Sequence, residues 1–141
     1  MTSAIHNINV DCADPYRLAL FWAEVTGWTE HPDEGNAPDD PEALLVSPDG
    51  SLNLLFIAGP DVKTVKNRVH LDLRPTDRTR DEEVVRLVDL GASVIDDRRN
   101  PDGTGWVVLG DPEGNEFCIE RSAAERAAVG RPTVEHVPVD P

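Results

Sequence analysis

Two histidines, His6 and His70, stand 64 residues apart, and each belongs to a run that reads as a β-strand. Around the second, strand alternation puts His70 and Asp72 on one face and Val69, Leu71 and Leu73 on the other. The same period in Glu116 to Glu120 gives Phe117 and Ile119 to a core and sends Cys118 and Glu120 to the opposite face. With His6 placed beside His70 by the offset, His6, His70 and Glu120 form a set of two imidazoles and one carboxylate. Such a set suits non-haem iron and also serves zinc, manganese or nickel, with coordination positions left open for a substrate. Taken singly, Glu120 reads as an edge carboxylate and each histidine as a hydrogen-bonded residue, so the coincidence of the three carries the site. Cys118 has no local His–Cys spacing that would make it a nucleophile, and it reads as a small side chain beside Glu120.

The elements that must position these groups are legible in turn. After a first strand over Ala4 to Val10, Asp14 is a good N-cap and Pro15 suits the first helical position. Leu18, Phe21, Trp22 and Val25 then follow at i, i+3, i+4 and i+7 before Gly27 stops the helix. Strands are expected at Trp28 to His31, Ala43 to Ser47 and Leu52 to Ile57, the last two joined by a Pro48-Asp49-Gly50 turn. The second helix, about Asp81 to Leu90, has an acidic first turn and Val84, Val85, Leu87 and Val88 as its apolar side.

The order strand, helix, three strands occurs twice, and seven identities recur at a spacing of 64 without a gap. They pair His6 with His70, Gly27 with Gly91, Asp33 with Asp97, Asn36 with Asn100, Leu45 with Leu109, Pro48 with Pro112 and Gly50 with Gly114. Two tandem βαβββ modules of α+β class result, at residues 4–58 and 67–121, joined through Lys63 to Asn67 and followed by a tail over 122–141.

The repeated βαβββ order, the paired histidines, and Asp111-Pro112-Glu113-Gly114-Asn115 followed by Glu120 resemble the vicinal oxygen chelate superfamily and its glyoxalase-like domains. The resemblance covers residues 4 to about 121. It implies that each module curls its mixed sheet into half of a cleft, that the superfamily's metal ligands fall on His6, His70 and Glu120, and that the chain pairs as a homodimer. It departs from the pattern where Glu120 minus 64 gives Phe56 in place of a second carboxylate or amide, which disfavours glyoxalase I activity. Leu54, Phe56, Trp106 and Cys118 are then expected to line a half-apolar substrate cleft, Trp106 by stacking on a flat ligand.

Thirteen Lys and Arg against 27 Asp and Glu leave a net charge of −14, which disfavours nucleic acid and anionic membranes as partners. No run reaches the roughly 18 apolar residues of a membrane span, and the N-terminus lacks the basic and apolar regions of a signal peptide, so a cytoplasmic chain is expected. Cys12 and Cys118 have no metal-knuckle or disulfide spacing and read as thiols. Two functions fit: a divalent-metal-dependent lyase, transferase or dioxygenase acting on an oxygen-chelating small molecule, or a metal-free small-molecule or drug-binding protein of the bleomycin-resistance type.

Overall fold

The computed structural model describes residues 1–128. The chain divides into two compact units, Met1–Val62 and a second that starts at Lys63. In the first, β1 (Asn7–Cys12), α1 (Pro15–Thr26), β2 (Glu42–Val46) and β3 (Asn53–Ala58) follow one another, and the sheet order is β1-β3-β2. β1 runs parallel to β3 and β2 antiparallel to it, so the sheet is mixed. In the second, β4 (Asp72–Leu73), α2 (Arg80–Asp89), β5 (Ser93–Asp97), β6 (Val107–Gly110) and β7 (Glu116–Ile119) build a sheet of order β4-β7-β6-β5, again with one parallel pair, and α3 (Ala123–Ala128) follows. This is the expected α+β architecture of βαβββ type, complete in the second unit and lacking the strand after the helix in the first.

The helix signals act as the sequence implies. The Asp14 carboxylate accepts the Arg17 N–H, Pro15 opens α1, and Gly27 ends it at φ +73°, in the left-handed region that costs a glycine little. Thr79 and Glu82 close a reciprocal capping box on α2, worth on the order of 1 kcal/mol. Leu18, Phe21 and Trp22 are buried where α1 packs on β2 and β3. The apolar side of α2 is narrower than expected: Val84 and Leu87 are buried, whereas Val85 and Val88 are exposed, because a helix on a four-stranded sheet covers it with one stripe.

Three strand expectations need correction. Trp28 to His31 forms no strand; Thr29 makes an isolated bridge to Val46, and the Glu30 carboxylate turns back to accept the Asn36 N–H. The first strand begins at Asn7 and not at Ala4. β4 holds only two residues, since Pro75 lacks the N–H that a longer ladder would need, and Val69, assigned to the core by alternation, is 84% exposed just ahead of it. The segment from Lys63 to Asn67 is tied into the second unit: Lys63 Nζ donates to Glu116, and Asn67 N–H donates to the same carboxylate. The remainder of the tail, from residue 129, lies outside the described residues.

Register explains how the repeat is built. The buried pair Leu54 and Phe56 on β3 answers to Phe117 and Ile119 on β7, a separation of 63 and not 64, and the parallel pairings of Asn9 with Leu55 and Asp72 with Cys118 carry the same separation to β1 and β4. The cause is the last hairpin turn. Ser47 N–H donates to Leu52 in the first unit and Asp111 N–H to Asn115 in the second, so the first turn is one residue longer. In a strand, one residue exchanges the two faces.

Candidate functional site

Each sheet has one face under its helix and one that its helix leaves uncovered, open in that sense although Cys118 and Glu120 on it are themselves buried. Leu54 and Phe56, 3% and 0% exposed, pair with Leu45 and Ala43, and Leu45 lies under α1. Both side chains therefore belong to the core, which corrects their assignment to a substrate cleft; the longer turn has moved them there. The open face of the first unit carries Asn7, Asn9 and Asp11 on β1 and Asn53, Leu55 and Ile57 on β3. Asn53 Nδ2 donates to Asn7 Oδ1 at 3.0 Å, closing a neutral amide pair.

The corresponding positions of the second unit are His70, Asp72 and Arg74, in and beside β4, and Glu116, Cys118 and Glu120, in and just after β7. Here the donor atoms of His70, Asp72 and Cys118 lie within 4.8 Å of one another. Strand pairing brings them together: Asp72 is the register partner of Cys118, and Cys118 N–H donates to Leu71. His70 Nδ1 stands 3.5 Å from Asp72 Oδ1 but out of line for a hydrogen bond, and it is buried without any other partner among the described residues. A buried ring nitrogen in that state costs about 1–3 kcal/mol unless a ligand completes it. Burial, the Asp72 carboxylate and the Glu120 charge push the Cys118 thiol up to about 12, so at neutral pH it is protonated and a poor nucleophile. A divalent cation would fit this group. Imidazole, carboxylate and thiol are together a donor set that suits zinc, and a bound cation would draw the proton from Cys118.

Of the residues singled out by sequence, His70 and Cys118 fall within this group, His70 as an expected ligand and Cys118 as an expected cleft-lining residue. Glu120 lies on the same face with its carboxylate 8% exposed, but it accepts from Arg74 Nε at 3.1 Å and is not one of the three clustered donors. His6 belongs to the first unit; it precedes β1 and is exposed, its carbonyl accepts the Asn53 N–H, and its counterpart at a separation of 63 is the exposed Val69. Trp106 is half-buried just ahead of β6, its carbonyl accepts the Arg98 N–H, and alternation sets it on the face of Val108, the register partner of Cys118. Asp72 and Cys118 were not assigned as ligands from the sequence. The signal in the sequence is alternation, which puts His70 and Asp72 on one side of their strand and Cys118 on one side of its own, and the pairing of Asp72 with Cys118 joins the two.

A second concavity lies wholly in the first unit, between α1 and the Trp28 to Glu30 segment, with a volume of about 220 Å³ and Tyr16, Leu20, Trp28 and Leu45 in its wall. Its one carboxylate, Glu30, already accepts the Asn36 N–H at 2.7 Å, so it offers packing surface but no reactive group. Neither Cys12 nor Cys118 forms a disulfide, and both are buried. No helix among the described residues is long and apolar enough to cross a membrane.

The paired βαβββ units with an ionisable open face define a fold of the glyoxalase type. The sequence model of the glyoxalase-like domain matches residues 7–120, and the chain belongs to that family, within the vicinal oxygen chelate superfamily. Solved structures of the same fold include the fosfomycin resistance protein FosX of Listeria monocytogenes in complex with Mn(II) and 1S,2S-dihydroxypropylphosphonic acid. It is 17% identical at a TM-score of 0.64, over 93% of this chain and 100% of that one. A glyoxalase/bleomycin resistance protein/dioxygenase family enzyme of Burkholderia phytofirmans is 20% identical at 0.63, over 83% and 97%. Lactoylglutathione lyase of Agrobacterium tumefaciens is 18% identical at 0.56, over 89% and 97%. No curated protein matches the chain in sequence.

Proposed function

We propose that this chain is a metal-dependent enzyme of the glyoxalase-like family, acting on a small oxygen-bearing molecule at the open face of its second unit, with His70, Asp72 and Cys118 holding a divalent cation. The observation that carries the reading is the buried His70 Nδ1, left without a hydrogen bond beside a carboxylate and a thiol. A bound cation would supply Lewis acidity, polarising a substrate oxygen and stabilising negative charge that develops on it. The chain's own part is to hold the ligands in register, to keep the thiol dry through Phe117 and Ile119 behind it, and to offer Trp106 as a wall for the substrate. Glyoxalase I chemistry itself is disfavoured, because the open face of the first unit presents Leu55 and Ile57 where the second presents Cys118 and Glu120. A homodimer in the cytoplasm remains the expected setting of this activity.

The test is titration of zinc, manganese, nickel and cobalt into chelator-treated protein. Zinc and cobalt are expected to bind in a one-to-one ratio, with cobalt giving a thiolate charge-transfer band that Cys118→Ser abolishes. If wild-type protein takes up none of these ions at pH 7.5, the metal reading is wrong, and the metal-free drug-binding alternative, which needs only an apolar wall and a half-buried Trp106, takes its place.

A further inference from the structure

Arg74 is the group on this face that cation binding leaves unused. It follows Asp72 by two residues, and Glu120 N–H donates to Leu73, so Arg74 and Glu120 continue the pairing of Asp72 with Cys118. The step along the strand is roughly 7 Å. Arg74 Nε donates to the buried Glu120 carboxylate at 3.1 Å, while the arginine side chain stays 44% exposed. Among the described residues, Nη1 and Nη2 have no partner. Neutralising Glu120 alone would need only a positive charge, which a lysine supplies. An arginine anchored by its inner nitrogen keeps in addition a rigid two-donor edge, the geometry that matches an oxyanion.

We propose that Arg74 is the anion-recognising residue of this face, and that the molecule bound here carries a carboxylate, phosphonate or phosphate on the Nη1 and Nη2 edge of Arg74. A second oxygen of the same molecule, a few bonds away, reaches the group formed by His70, Asp72 and Cys118. The second contact rests on the metal reading above; the first does not. With an overall charge of −14 the chain has little general attraction for anions, so an anion held on this face depends on the guanidinium itself.

The test is titration of methylphosphonate, with acetamide as a neutral control, into wild-type protein, Arg74→Gln and Arg74→Lys, followed by NMR with and without one equivalent of zinc. Zinc affinity is measured separately on each variant. Arg74→Gln is expected to weaken methylphosphonate at least tenfold while zinc affinity stays within threefold, and acetamide is expected not to bind. Arg74→Lys keeps the charge opposite Glu120, so it folds even if the glutamine variant does not, and it should bind methylphosphonate at least threefold more weakly than wild type. Wild-type affinity for methylphosphonate in Arg74→Lys and in any folded Arg74→Gln overturns the assignment, as does equal binding of acetamide. If zinc is not held by wild type but methylphosphonate still depends on Arg74, the metal reading falls and the anion site stands. If wild type binds methylphosphonate in neither condition, the anion site falls whatever zinc does.

Discussion

The two units use one strand order to present opposite surfaces. On the open face of the first, an amide pair formed by Asn7 and Asn53 is followed by Leu55 and Ile57, none of which is ionisable. At the matching positions of the second stand His70 and Glu116, then Cys118 and Glu120, with Asp72 and Arg74 where the first has Asn9 and Asp11. The helix-covered faces are alike, with Leu54 and Phe56 answering to Phe117 and Ile119, all between 0% and 3% exposed. Divergence has thus been confined to the side of each sheet that its helix does not cover. That is where substitution costs least in packing, and it is where a fold acquires chemistry.

The comparison is broken most severely by attacking what the units share. Phe56→Ala and Phe117→Ala each remove a fully buried ring, and each should cost about 3–5 kcal/mol, read from urea denaturation. A cost below about 1 kcal/mol for Phe56→Ala would mean that Phe56 is not in the core of its unit. Next in size is the contrast between histidines. His70→Ala should weaken zinc at least about 100-fold, whereas His6→Ala should leave it within about threefold, since His6 precedes β1 and matches the exposed Val69. Comparable losses from both would restore the ligand set read from the 64-residue offset.

That offset shows what the sequence made legible and what it hid. Helix caps, the sheet class and the glyoxalase-like family all follow from local signals such as Asp14-Pro15, Gly27 and the Asp111 to Asn115 turn, each of which acts within a few residues. Equivalence of β1 with β4 is a long-range property, set by which backbone groups pair. Seven identities at 64 fall mostly in helix stops and turns, where a one-residue shift is harmless, so they could not report the register of the strands. The alternation around Leu54 and Phe117 carried the contrary signal. Once it is aligned, Asn7 and not His6 corresponds to His70, and the cluster of His70, Asp72 and Cys118 stands out by itself.

A smaller effect separates the two lower corners of the open faces. Glu116 accepts from Lys63 Nζ at 2.9 Å and from Asn67 N at 3.0 Å; the matching Asn53 makes one neutral bond to Asn7. Burial raises the Glu116 carboxyl, but Lys63 and the Asn67 N–H outweigh it and hold the group below its ordinary value of 4.5. A lowered folded-state value means that the unfolded chain binds the proton more readily, so this stabilisation is complete above about pH 4.5 and is lost as pH falls through the folded-state value. Glu116→Gln should therefore cost about 1.5–3 kcal/mol at pH 7 and progressively less as pH falls through the folded-state value, whereas Asn53→Ala should cost about 0.5–1.5 kcal/mol throughout. A pH-independent loss for Glu116→Gln would show that its charge does not contribute.

The smallest expected effect tests the origin of the register difference itself. Deleting Ser51 shortens the first hairpin turn to the length of the second while leaving Leu45 opposite Leu54 and Ala43 opposite Phe56, because the deletion falls in the turn and not in the ladder. What disappears is local: Ser51 N–H and Oγ both donate to Asp49 Oδ1, an exposed interaction within the turn. The Pro48-Asp49-Gly50 segment can then adopt the form that Pro112-Glu113-Gly114 takes, with Gly50 already at φ +74° beside +88° for Gly114. Shortening a surface loop by one residue changes closure entropy by only a few tenths of a kcal/mol, so the variant should lose less than about 1 kcal/mol and keep a cooperative transition. Deletion of Leu55 is the control, since it sends Phe56 and every later side chain of β3 to the opposite face and should abolish folding of the first unit. If the two deletions are equally harmful, the extra turn residue is not what shifts the strands, and the matching of Asn7 with His70 loses its structural cause.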